Sequence, residues 1–226
     1  MKKILGFTLA EVLITLLITG IVASLVIPTV INDTQKQEWV TGLQKSLSDF
    51  NQAYKMWQID IGTTDFKNNL PATADDFLNK FVKYLDVIKI CHPNEKPDEC
   101  FYENIKYING SPITIPGLDV NTRPRAVLKN GNSILTYGFV PDCTWSINKT
   151  KGVPDGCNSI FVDVNGLKGP NLLGRDIFVL VFTRKNGILP SGIQGSDNYN
   201  ACSGNGEYYD MGCAGKIARE GWKMNY

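Results

Sequence analysis

The chain has 226 residues, 43% of them hydrophobic, and carries 23 Lys and Arg against 22 Asp and Glu, for a formal net charge of +1. That length is enough for one globular domain with its own core. The even charge balance excludes a basic surplus of the kind that would make nucleic acid the main partner.

Residues 1–31, MKKILGFTLAEVLITLLITGIVASLVIPTVI, open with Lys2 and Lys3 and reach Gly6; from Phe7 to Ile31 they form an apolar run in which Glu11 is the only charge. At about 25 residues the run is longer than a secretory apolar region, and no A-x-A site follows it. It is long enough to cross a bilayer, with Lys2 and Lys3 on the cytoplasmic side. A plain single-span anchor leaves Glu11 unexplained, because a carboxylate at the bilayer centre costs roughly 2.5–3.5 kcal/mol.

The segment Gly6-Phe7-Thr8-Leu9-Ala10-Glu11, the apolar run behind it and Pro28 within it together resemble the class III signal of type IV pilins and type II secretion pseudopilins. The resemblance implies cleavage between Gly6 and Phe7 by a prepilin peptidase, and N-methylation of Phe7. It further implies a helix kink at Pro28 and a filament contact in which the Glu11 carboxylate meets the α-amino group of Phe7 on a neighbouring subunit. The chain would then comprise a leader (1–6), a transmembrane or filament-core helix (7–31) and an exported head with an amphipathic half-helix (32–226). Losing Lys2 and Lys3 leaves 21 basic against 22 acidic residues, a balance of −1. The implied location is the bacterial inner membrane, single-pass, and then a pilus or pseudopilus in the periplasm or at the cell surface. The implied partners are other subunits, an inner-membrane assembly platform and the lipid bilayer.

After Asn32 the pattern becomes amphipathic. Trp39, Leu43, Leu47, Phe50, Tyr54, Trp57 and Ile61 recur every three or four residues, with Gln37, Lys45, Asn51, Gln52 and Lys55 opposite. This is one stripe of an α-helix. With Gly62 as its stop, the helix covers residues 8–61, about 80 Å at 1.5 Å per residue. Large aromatics on the stripe suit a sheet better than a coiled-coil seam.

Thr73 and Asp76 make a capping-box-like start for a second helix over 74–89, with Phe77, Phe81, Tyr84, Leu85 and Ile88 on one face. Residues 125–129 and 133–140, joined through Asn130-Gly131, read as a hairpin on a type I′ turn. Residues 159–164 and 176–184 are two further strands, and the unbroken apolar run 177–182 marks a central strand covered on both faces. No βαβ alternation is present, so the fold class is α+β with an antiparallel sheet packed on the long helix, the pilin-like lollipop that the resemblance implies. A helical turn over 216–222 ends the chain, with Trp222 packing back on the head.

Cys91, Cys100, Cys143, Cys157, Cys202 and Cys213 all follow the apolar segment. An even count in an exported domain reads as disulfides, and six cysteines allow fifteen connectivities. Nearest-neighbour pairing is preferred because each bridge then closes a short, polar, turn-rich loop. A zinc site is disfavoured: no C-x-x-C occurs, and the one histidine, His92, reads as a solvated loop residue. Asp163, Asn165, Asn171 and Asp176 lie in one glycine-rich connection whose Asp-x-Asn-Gly opening resembles that of a calcium loop. The competing reading is turn chemistry, since the bidentate glutamate is absent and Lys168 and Arg175 lie close by. The resemblance adds that some major pseudopilins bind calcium in a head loop. No other cofactor is expected.

No catalytic constellation is present. There is no G-x-S-x-G, H-E-x-x-H or P-loop, and any histidine-based triad would need His92, next to Cys91. The expected function is that of a structural subunit of a type IV pilus or type II secretion pseudopilus, not an enzyme. The alternatives are a minor pilin whose head binds a surface, DNA or a secreted substrate, and a single-span anchored exported protein.

Overall fold

The computed structural model describes residues 8–95, 99–115, 117–144, 153, 155–194, 202 and 209–226. The chain divides into two units, Met1–Glu38 and Trp39–Tyr226. The long helix α1 (Leu9–Ile61) supplies its first half to one unit and its second half to the other. It runs through Pro28 and stops at Gly62, whose φ of +67° favours a residue without a Cβ.

In the first unit the large apolar side chains of α1 are exposed. Leu9 is 78% exposed, and Leu13, Leu17, Ile21, Leu25 and Ile31 are exposed too. In the second unit Trp39, Leu43, Phe50, Tyr54 and Trp57 are buried, and Leu47 and Ile61 pack partly against the same core. The stripe read from the sequence is therefore the buried face. Asn51 is a correction: it is not a solvent-face residue. Its Nδ2 donates to the Ile188 carbonyl and its Oδ1 accepts from the Ile188 N–H, both at 2.9 Å, so one carboxamide pairs with backbone as a neighbouring strand would. Gly187 makes room for it, since a Cβ there would lie 2.5 Å from Asn51 Oδ1.

The second helix is shorter than the sequence suggests. Thr73 caps α2 (Ala74–Phe81), its Oγ1 accepting from the Asp76 N–H at 3.1 Å. A single 3-10 turn (Val82–Tyr84) follows, and Leu85 is already extended. The β-branched stretch Val87–Cys91 then leaves the helical pattern to become strand β1. Ile88, expected on a buried helix face, is 67% exposed on that strand.

Eight strands form one sheet among the described residues: β1, β2 (Lys106–Tyr107), β3 (Arg125–Leu128), β4 (Ser133–Tyr137), β5 (Gly156–Asp163), β6 (Leu172–Leu173), β7 (Ile177–Thr183) and β8 (Ile188–Pro190). Their order is β1-β3-β4-β5-β7-β6-β2, and β8 also pairs with β7. The pairing is antiparallel except for the short β2–β6 and β6–β7 contacts, which are parallel. The arrangement is thus α+β and pilin-like, a long N-terminal helix followed by a mostly antiparallel sheet. The β3–β4 turn is a second correction. Gly131 has φ +89°, but Asn130 is not in the left-handed region. Leu128 N–H instead bonds the Asn132 carbonyl at 2.8 Å across a three-residue loop. That is the glycine-bulge hairpin rather than type I′, which needs positive φ at both central residues.

Strands β5 and β7 are buried along their whole length. Phe178, Leu180 and Phe182 join the core shared with α1 and α2. Ile177 and Val179 join a second core with Phe101, Ile105, Tyr107, Ile115 and Val120. The sequence did not reveal this second layer, because residues 99–122 have almost no periodicity. Arg125, fully buried, ties it down: its guanidinium donates to the carbonyls of His92, Glu95, Val120, Asn121 and Arg123. Burial pushes its pKa down, and the nearby charges of Glu95 and Asp119 oppose that. The chain ends in α3 (Cys213–Arg219), three residues earlier than expected, and Trp222 packs partly on the α1 core.

Candidate functional site

Gly6 and Phe7 lie outside the described residues; the described chain begins at Thr8. Thr8 and Glu11 form a reciprocal capping box. Glu11 Oε2 accepts from the Thr8 N–H and from Thr8 Oγ1, each at 2.8 Å, and the Glu11 N–H donates back to Thr8 Oγ1 at 3.3 Å. The signal for this was present as T-x-x-E ahead of an apolar run, but the sequence reading used Glu11 alone. The acid that looked orphaned in an apolar segment therefore has partners in its own first turn, where a negative charge also suits the helix dipole.

Four hydroxyls of this half also bond their own helix. Thr15 Oγ1 donates to the Val12 carbonyl at 2.9 Å, Thr19 to Thr15 at 2.6 Å, Ser24 to Ile21 at 2.7 Å and Thr34 to Val30 at 2.8 Å. Each hydroxyl is satisfied by its own helix and needs no water, as an apolar medium requires. The helix is long and apolar enough over this half to cross a membrane.

The structure brings the four loop residues singled out in the sequence close together. Asp163 ends β5 and Asp176 precedes β7, and both are fully buried. Asp176 accepts from the N–H groups of Asn171 and Leu172, each at 2.7 Å. Asp163 Oδ1 accepts from the Asn165 N–H at 3.2 Å. The carboxamide end of Asn171 lies 3.2 Å from Asp163 Oδ2 and 3.3 Å from the Lys168 carbonyl. With its nitrogen inward it donates to both; with its oxygen inward it completes a cluster of three oxygens. Ser133, paired with Asp163 across β4 and β5, is buried and its Oγ has no hydrogen-bond partner. Burial pushes Asp163 up to about 8, helped by the charge of Asp176. Burial also raises Asp176, against the two N–H donors. Among the described residues, no group of three or more His, Cys, Asp and Glu is arranged to hold a metal. A cation here would rest on two carboxylates supplemented by amide and carbonyl oxygens.

The cysteines pair as Cys91–Cys100, Cys143–Cys157 and Cys202–Cys213. His92 is exposed but not merely solvated: Nδ1 lies 2.8 Å from Asp75 Oδ1, and this bond raises its pKa.

Residues 1–27 match the family described as the prokaryotic N-terminal methylation motif. This is the prepilin-type signature of type IV pilins and pseudopilins. No curated protein and no solved structure matches the chain. The motif points to a processed, pilin-like structural subunit rather than an enzyme, and with the apolar helix it fits a membrane-anchored, exported protein.

Proposed function

We propose that this chain is a structural subunit of a type IV pilus or a type II secretion pseudopilus. A prepilin peptidase cuts between Gly6 and Phe7 and methylates Phe7. The subunit waits in the bacterial inner membrane with its head exported, and an inner-membrane platform then adds it to a filament in the periplasm or at the surface. The observation that carries this reading is the methylation motif over residues 1–27, joined to a helix whose large apolar side chains are exposed among the described residues. Pro28 is where that helix bends in the filament. Both ends of the sheet are poor templates for strand addition, since β1 is irregular between Val87 and Lys89 and β2 is two residues long. Polymerisation through the helix is consistent with that.

In the filament the Glu11 carboxylate meets the α-amino group of a neighbouring Phe7. Removing one member of such a buried pair strands the other. Glu11→Ala should leave Gly6–Phe7 cleavage intact and abolish incorporation into sheared filaments, as followed by mass spectrometry. Normal incorporation would sink the proposal. The same spectra give copy number: a dominant species is a major subunit, whereas a trace species that assembly still requires is a minor pilin with a binding head.

A second proposal concerns the head. Asp163, Asn165, Asn171 and Asp176 hold calcium, a reading favoured by the buried Asp163–Asp176 pair and the unpartnered Ser133 hydroxyl beside it. Hard oxygen donors of this kind suit calcium. The melting temperature should rise with calcium over chelator, and Asp163→Ala should abolish the rise. An unchanged difference in the variant refutes calcium binding here.

A further inference from the structure

The capping box assigns a task to a residue that the filament contact does not include. Glu11 lies inside an apolar segment, and a carboxylate without donors is expensive there. Two donors meet it within its own turn, the Thr8 N–H and the Thr8 hydroxyl, and both engage the same oxygen, Oε2. Among the described residues Oε1 makes no hydrogen bond. The carboxylate is thus held in one orientation with one oxygen committed and the other presented outward.

We propose that Thr8 is a positioning residue for assembly: its hydroxyl holds the Glu11 carboxylate oriented in the waiting subunit, so that Oε1 is ready for a cation supplied by another copy of the chain. The inference rests on the filament reading above, but it makes a separate claim about Thr8. The helix start and the carboxylate use the hydroxyl differently. As an acceptor it caps the Glu11 N–H; as a donor it binds Oε2. Glycine is a tolerable N-cap that lacks the hydroxyl, so Thr8→Gly keeps most of the cap and removes the donor. Thr8→Val removes both, and Thr8→Ser keeps both.

The test uses the full chain in its native cell. Gly6–Phe7 cleavage is read by intact mass, and assembly by the fraction recovered in sheared filaments. Thr8→Val and Thr8→Gly should be cleaved normally and assemble about tenfold less, the scale of one lost hydrogen bond to a charged group. Thr8→Ser should assemble within about twofold of the parent. The positioning role is overturned if Thr8→Gly assembles like the parent, because only the helix start then matters. It is also overturned if Thr8→Ser fails, or if the variants are left uncut. If Thr8→Val assembles normally while Glu11→Ala does not, this inference fails and the filament reading stands. If Glu11→Ala also assembles normally, the filament reading itself fails.

Discussion

The two halves of α1 have the same backbone but opposite surroundings. Between Leu9 and Ile31 the large apolar side chains are exposed, as with Leu17 at 64%, whereas Trp39, Leu43, Phe50 and Trp57 are exposed by 7% or less. Hydrophobicity alone does not distinguish the halves; the difference is whether the chain itself supplies a partner. The second half has its apolar residues on one stripe and a sheet to put them against. The first half is apolar nearly all round, and no single face could cover it. Cover from lipid or from other subunits is what the proposed function supplies.

The largest effects should separate the halves cleanly. Trp57 touches the rings of Phe66, Phe77, Phe81, Tyr84 and Phe182. Trp57→Ala should cost the head about 3–5 kcal/mol. Leu17→Ala should leave the melting of the head unchanged, since that side chain is exposed and belongs to the first unit. Near-ultraviolet circular dichroism of detergent-solubilised chain would report both. A Leu17 variant that melts early would break the comparison.

Next comes the covalent staple. Cys143 and Cys157 close a separation of 14 residues and join the residues after β4 to β5. Replacing both with Ala should cost roughly 3 kcal/mol if the bridge acts mainly on the unfolded chain. Urea unfolding of the double variant, read against the parent with its bridges intact, measures it. Filament processing at Gly6 should be unaffected, because the bridge belongs to the second unit.

Much of this was legible in the sequence where one period or one motif dominated. The Trp39–Ile61 stripe, the apolar run of β7 and the Thr73 cap each rest on local rules that the tertiary structure did not override. The failures came where a rule was undecided. Leu85 to Ile90 supports either a longer α2 or a strand, and pairing with β3 settled it. Asn130-Gly131 is compatible with two hairpin loops, and the count of three residues between paired Leu128 and Asn132 selected the bulged one. The second core layer had no local signal at all. Phe101, Ile105 and Ile115 pack in a core with Phe161, Ile177 and Val179, long-range contacts that no local spacing encodes. At the helix start the T-x-x-E signal of the capping box is local and legible as Thr8 to Glu11.

The head should also respond to pH, and its loop acids dominate that response. Asp163 is raised from 3.8 to about 8 in the folded state, and Asp176 is raised too. A carboxyl raised on folding contributes stability that is complete below its unfolded value near 4 and is lost as pH climbs through the folded value. In chelator the melting temperature should therefore fall between pH 5 and pH 9, and Asp163→Asn should flatten that fall. At the acid end Asp65 works the other way. Arg184 holds its carboxyl well below the usual range, so its contribution is present above the unfolded value near 4 and disappears as pH drops further. A profile that rises from pH 5 to 9 in chelator would refute the assignment of Asp163 as a buried acid.

The smallest expected effect is at His92, and it tests whether the exposed pair with Asp75 adds to that slope. His92 is raised by its bond to Asp75, so its contribution is present below 6.5 and fades as pH rises through the folded value. The sign matches that of Asp163, but the scale does not. The two side chains are 47% and 35% exposed, where solvent and salt leave such pairs worth under about 1 kcal/mol. His92→Gln should therefore remove only a shallow step between pH 6 and 8 and leave the steeper fall from Asp163 in place. If His92→Gln flattens the profile as much as Asp163→Asn does, the pH response belongs to the Cys91–Cys100 loop and the α2 start, and the buried acids have been given too much of it.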